Sequence, residues 1–103
     1  VPDLICLGEA MVEFNQQPNG GGDDLYKAGF GGDTSNTAIA AARQGAKAGY
    51  ITALGTDRFG DLLMQLWRRE EVDASAVKRD ERAPTGIYFV THSAAGHQFH
   101  YYR

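Results

Sequence analysis

Two short stretches of this 103-residue chain combine side chains whose type and spacing suit chemistry. The first is Gly31-Gly32-Asp33-Thr34-Ser35-Asn36-Thr37-Ala38, a glycine pair set directly before a polar helix start. Glycines let the backbone approach a ligand with no side chain in the way. Thr34, Ser35 and Asn36 fall where the free N–H groups of a first helical turn collect. Such a junction suits a ligand rich in hydroxyls or oxyanions. A tight strand-to-helix turn with no ligand is the competing reading, and these residues alone leave both open. The second stretch is Phe99-His100-Tyr101-Tyr102-Arg103. Alternate residues of a strand point the same way, so Phe99, Tyr101 and Arg103 share a face. A guanidinium can grip a carboxylate through two parallel hydrogen bonds, and a phenol can add a third. Against this stands a solvated edge arginine beside a packing aromatic residue.

Other combinations fail on spacing. His97 and His100 have opposite parity on a strand and do not converge with His92 on a metal, so no metal site is expected. Gly29-x-Gly31 is followed by Thr34 where a dinucleotide fingerprint needs its third glycine, and no Gly-Lys-Ser/Thr phosphate loop occurs. Cys6 stands alone in an apolar run, as a buried strand residue rather than a nucleophile. Arg68-Arg69-Glu70-Glu71 reads as the solvated end of a helix. The net charge of −3 gives no reason to expect nucleic acid or an anionic membrane as partner. No apolar run approaches membrane-spanning length, and a reducing cytoplasm is the expected location.

The elements that must position these residues alternate in type. Leu4 to Leu7 reads as a buried strand ahead of Gly8. Pro18, Asn19 and the Gly20-Gly21-Gly22 run interrupt regular structure, and Leu25, Tyr26 and Phe30 then offer a short strand. Thr34 to Gln44 reads as a helix stopped by Gly45. Tyr50 to Leu54 is a second buried strand, and Phe59, Leu62, Leu63 and Leu66 form the apolar stripe of a helix opening after Asp57. Strand, helix, strand, helix indicates an α/β fold with a parallel sheet covered by helices. After Asp73 the period becomes two: Thr85 to Thr91 and Gln98 to Tyr102, joined by Ser93-Ala94-Ala95-Gly96, read as a β-hairpin. A lone hairpin is only marginally stable in water, so this one needs a partner surface.

Taken together, Gly31-Gly32-Asp33-x-x-Asn36-x-Ala38, Gly45 and Ala53-Leu54-Gly55-x-Asp57-x-Phe59-Gly60 closely resemble the N-terminal motif of the ribokinase-like (PfkB) carbohydrate kinases. Leu7-Gly8-Glu9-Ala10-Met11-Val12-Glu13 resembles that family's first strand and its exit loop, and Phe99 to Arg103 resembles its 2-keto-3-deoxygluconate kinase branch. The resemblance implies a Rossmann-like core, residues 1–14 and 31–84, and a small β-sheet lid over the sugar, residues 15–30 and 85–103.

Gly31, Gly32 and Asn36 are implied sugar contacts, with a helix cap as the other role for Asn36. Tyr101 and Arg103 are implied contacts to an acid sugar, joined by Tyr88 from the partner strand. Glu13 stands near where relatives place an acidic residue against sugar hydroxyls, a solvated strand-end carboxylate being the alternative. Glu9 fits the family pattern with no chemistry assigned.

The resemblance further implies ATP and Mg²⁺ as cofactors and a homo-oligomer joined through the lid. It puts the catalytic aspartate and nucleotide site in a Gly-Ala-Gly-Asp region that this chain lacks. The expectation is therefore the N-terminal portion of a longer kinase, inactive alone, with its catalytic residues beyond Arg103. Phosphorylation of 2-keto-3-deoxygluconate is the expected activity. The rivals are a fructokinase or another kinase of a neutral sugar, and a non-catalytic carbohydrate-binding fragment. One departure is Glu71 before Val72-Asp73, where relatives commonly have glycine, which suggests a helix ended without one.

Overall fold

In chain order the elements are β1 (Leu4–Leu7), β2 (Met11–Gln16), β3 (Tyr26–Gly31), α1 (Asp33–Arg43), β4 (Ala48–Ile51), β5 (Ala53–Leu54), α2 (Arg58–Arg69), β6 (Lys78–Arg79), β7 (Ile87–Ser93) and β8 (Gly96–Tyr102). The structure is a computed structural model that describes residues 1–18 and 24–103, and the Gly20-Gly21-Gly22 run lies outside the described residues.

β1 and β4 pair in parallel, Leu4 opposite Ala48 and Leu7 opposite Ile51, with α1 packed against both. The helix runs over alternating small residues: Ala38 is fully buried, and Ser35 accepts a hydrogen bond from the Trp67 indole at 2.8 Å. That bond satisfies the one polar atom of a fully buried tryptophan and ties α2 to α1. Trp67 also leans on Tyr50, ring centroids 4.9 Å apart, and Leu63, Leu66 and Val72 complete the core around them.

The α2 stripe behaves as its spacing predicts, with Leu63 and Leu66 buried and Phe59 and Leu62 half-buried. Tyr50 to Leu54 is not one strand, however. It breaks at Thr52 into β4 and a two-residue β5 that pairs with β6. Ile5, Leu7 and Ile51 are left exposed on the β1–β4 layer, where apolar side chains of a parallel sheet are ordinarily covered.

The second layer is a four-stranded sheet in the order β3-β2-β7-β8. β2 is its pivot, antiparallel to β3 (Met11 opposite Gly31) and parallel to β7 (Val12 opposite Ile87). The hairpin β7–β8 thus obtains the partner its own exposure demanded. It closes through the two-residue turn Ala94-Ala95, with Gly96 at φ 113°. On one face Phe14 stacks on Phe89 and meets Phe59 of α2 edge-on, which seats the sheet on the core. The boundary expected at residue 14 falls inside β2, an element that begins on buried Met11 and Val12 and continues out into the sheet.

Both helices end in the same motif. Gly45 and Ala46 donate back to Ala42 and Ala41, as Glu71 and Val72 do to Arg68 and Trp67. Glu71 holds the left-handed position at φ 60° that Gly45 fills at φ 95°, so the expected glycine-free helix end exists at the cost of an uncommon backbone conformation. Glu70, read from sequence as solvated, instead takes both prongs of Arg43 at 2.8 and 2.7 Å and joins the two helix ends.

Candidate functional site

A cavity of about 550 Å³ opens between the start of α1 and the sheet face opposite Phe14 and Phe89. Its walls bring together every sequence-predicted site residue: Glu13, Gly31, Gly32, Asn36, Tyr88, Tyr101 and Arg103. They come from five elements, β2, β3, α1, β7 and β8, with Gly32 just before α1 and Arg103 just after β8, and sheet register does most of the gathering. Glu13 lies beside Tyr88 across the β2–β7 pair, and Tyr88 lies opposite Tyr101 across β7–β8. Three residues far apart in the chain thus form one row on one face. The rings of Tyr88 and Tyr101 are 5.5 Å apart, and Phe99 extends the stack at 6.2 Å from Tyr101.

The glycine pair has a structural task of its own. A side chain at Gly31 would strike the Tyr88 hydroxyl and ring, so the absent Cβ lets the tyrosine lie across β3. Gly32 is the N-cap of α1 at φ 117°, and a side chain there would meet the Glu9 carbonyl. Because Gly32 is the cap, the capping role for Asn36 falls away: its N–H is already bonded to the Gly32 carbonyl at 3.0 Å. Its exposed side chain faces the cavity. Thr34 and Ser35 are occupied elsewhere, Thr34 with the Tyr50 hydroxyl at 2.7 Å and Ser35 with Trp67.

The electrostatics are uneven. Among the described residues Arg103 is the only cation on the cavity wall, against the carboxylates of Glu9, Glu13 and Asp33. Its guanidinium lies over the Tyr101 ring, 4.7 Å from the centroid, and donates one bond to Glu9 Oε1 at 3.0 Å. Burial, the neighbouring Glu13 charge and a hydrogen bond to Glu13 push the Tyr88 phenol up to about 12. Tyr88 is therefore a neutral hydrogen-bond donor at any physiological pH. Glu9 is the cavity residue to which sequence assigned no chemistry; its contact with Arg103 spans 94 positions and leaves no local signal. Met11, Phe30 and Asp33 also line the cavity without having been singled out.

A nucleotide triphosphate does not suit this donor set, since three carboxylates against one guanidinium would repel it. No group of three metal-ligating side chains occurs among the described residues, and no described helix is long and apolar enough to cross a membrane. The arrangement suits a small polyhydroxyl ligand: tyrosine, asparagine and carboxylate groups for hydroxyls, and one arginine able to meet a negative charge.

The family model described as pfkB family carbohydrate kinase matches residues 1–103. The chain is 39% identical over 103 residues to 2-dehydro-3-deoxygluconokinase of Escherichia coli (strain K12), covering 96% of this chain and 32% of that protein. It is 34% identical to probable fructokinase-2 of Arabidopsis thaliana, covering 97% of this chain and 32% of that protein. The fold superposes on the crystal structure of a fructokinase with bound ATP from Xylella fastidiosa with a TM-score of 0.90 at 29% identity, over all of this chain and 34% of that one. The chain therefore spans about a third of the length of the relatives it matches.

Proposed function

The chain belongs to the pfkB family of carbohydrate kinases, and from that premise we propose that it forms the sugar-binding and lid portion of an ATP-dependent kinase acting on 2-keto-3-deoxygluconate. The observation that carries this reading is Arg103, stacked on Tyr101 in the cavity wall opposite Asn36 and the glycine pair. A neutral sugar gives a guanidinium nothing to neutralise, whereas an acid sugar presents the planar carboxylate it fits. The E. coli relative named for this acid (2-dehydro- and 2-keto-3-deoxygluconate are one compound) supports it further.

In this reading Arg103 and the Tyr101 hydroxyl hold the carboxylate, Tyr88 gives its O–H to Glu13 and accepts from a sugar hydroxyl, and Asn36 and Glu13 bind hydroxyls. The lid, residues 15–30 and 85–103 with the start of β2, excludes water around the sugar. ATP and Mg²⁺ supply the phosphoryl group and its charge neutralisation in such kinases, from residues outside this chain. A cytoplasmic enzyme, assembled as a homo-oligomer through the lid, belongs to the same proposal.

A second reading rests on the three cavity carboxylates, which favour a neutral sugar, and on the fructokinase relatives. Steady-state kinetics of the full-length kinase separates the two. Arg103→Ala is expected to lower kcat/KM for the acid sugar by about 2–4 kcal/mol and to leave ATP parameters alone. Arg103→Lys should recover part of the loss, since it keeps the charge without the fork. Tyr101→Phe should lose about 0.5–1.5 kcal/mol. Acid-sugar turnover unaltered by Arg103→Ala, or neutral sugars harmed equally, would give precedence to the fructokinase reading.

A further inference from the structure

We infer that Glu9 is a specificity-determining residue: it is a built-in carboxylate that competes with the sugar's own carboxylate for Arg103. The inference rests on the acid-sugar reading above and adds to it the residue that sets how strongly acid sugars are preferred.

The geometry of the Glu9–Arg103 contact differs from that of a structural ion pair in the same molecule. Arg43 and Glu70 meet by two short bonds, and the carboxylate side chain there is only 18% exposed. Arg103 gives Glu9 a single bond of 3.0 Å, and both side chains are about half exposed, 51% and 48%. A one-pronged, solvated pair is held weakly and opens easily.

The two partners are also anchored unequally. The Glu9 backbone is fixed, its carbonyl packed on Gly32 and the following Ala10 buried. Only its carboxylate swings out, to Arg103 and to a place beside Gly86. Arg103 is held by the Tyr101 ring over one face of the guanidinium. That contact does not depend on Glu9, so the arginine remains aimed at the cavity when the pair opens.

An incoming carboxylate therefore meets an arginine already engaged by an acid, in a cavity where Glu13 and Asp33 add further negative charge. It must displace Glu9 and leave that carboxylate nearby. A neutral sugar has no such contest, because the Glu9–Arg103 pair can stay closed beneath it. Glu9 thus lowers affinity for acid sugars selectively, through Arg103.

The test is a set of steady-state measurements on the full-length kinase with 2-keto-3-deoxygluconate and with fructose as substrates. Glu9→Gln removes the competing charge and is expected to lower KM for the acid sugar about three- to tenfold, the range of one weak exposed ion pair and one neighbouring charge. KM for fructose should move by less than about twofold. The gain should shrink as salt is raised, since the removed effect is a charge effect. It should vanish in an Arg103→Ala background, because the competition then has no object. Glu9→Asp, one methylene shorter, should shift KM in the same direction by less, and it carries the test if Glu9→Gln folds poorly.

A rise in acid-sugar KM on Glu9→Gln would overturn the inference and make Glu9 a support that positions Arg103. An equal gain for fructose, or a gain that persists without Arg103, would overturn it too. Failure of the acid-sugar reading has a different signature: Arg103→Ala alone would leave acid-sugar kinetics unchanged.

Discussion

Asp57 and Glu9 are both carboxylates placed near an arginine where distant parts of the chain meet, and their surroundings are opposite. Asp57 caps α2 by accepting from the Gly60 N–H at 2.9 Å and takes the Thr85 N–H at 2.8 Å on its other oxygen. Around it Arg79 donates to the Gly55 carbonyl at 2.8 Å and to Asp61 at 2.7 Å, while buried Thr85 receives the Gly55 N–H at 2.9 Å. The segment leading into β7 is thereby fastened to the head of α2. The Glu9 carboxylate accepts a single bond, from an arginine that keeps most of its donors open. Composition does not separate the two regions. Saturation does: where each donor and acceptor is matched inside the chain, carboxylate and arginine are scaffold, and where they are left half-matched beside a cavity they are available to a ligand.

Three substitutions in the full-length kinase can break or sharpen that contrast. The largest change is expected for Asp57→Ala, which removes a helix cap and leaves the Thr85 N–H without its acceptor. Stability in urea should fall by about 2–4 kcal/mol, while the ratio of acid-sugar to neutral-sugar kcat/KM stays put. A shifted ratio would show the two regions to be coupled. Thr85→Val comes next, at about 1–2 kcal/mol, because the Gly55 N–H would lose its partner in a buried position; an unchanged melting temperature would show that the hydroxyl is dispensable. Smallest is the stability effect of Arg103→Ala, within about 0.5 kcal/mol despite its large expected effect on turnover. A drop beyond about 1.5 kcal/mol would mark Arg103 as scaffold after all.

The same contrast has a pH signature. Burial pushes the Asp57 carboxyl up, but hydrogen bonds from Thr85 and Gly60 and the charge of Arg79 outweigh it and hold it below the ordinary 3.8. A carboxyl depressed in the folded state contributes stability that is complete above its unfolded value and is lost as pH falls through the folded one. Wild-type stability should therefore decline more steeply below about pH 4 than that of Asp57→Asn, which has no carboxylate to protonate. Parallel curves for the two in acid would argue against this role.

Some of this was legible in the residues and some was not. The α2 stripe and its start at Asp57 could be read directly, because a helical period and a cap are local patterns. The hairpin could be read for the same reason, with β7 displaced by two residues, β8 starting two residues earlier and its end at Tyr102 as expected. β2 escaped notice because Met11 and Val12 are both buried, which hides the alternation of a strand. Thr52 could not be seen to divide β4 from β5, since an apolar run conceals where pairing changes partner. At the cavity, the shared face of Tyr101 and Arg103 followed from alternation, and Tyr88 and Asn36 from family resemblance. Glu9 required the three-dimensional structure, because a contact across 94 positions has no period to betray it.

The two partners of β2 also impose an order on assembly. β3 follows shortly after β2 and folds back on it, so their antiparallel pairing is available early in synthesis. β7, which completes the other edge from Val12 to Asn15, is made only after α1, β4 and α2. Closing that gap carries a long loop's entropy, so the parallel pairing is expected to form after the antiparallel one. Until Ile87 to Val90 dock, β2 presents a bare edge to whatever other strand is near. A nascent chain halted before Ile87 would carry that adhesive edge permanently, which makes the arrival of β7 the moment at which this layer becomes safe from its neighbours.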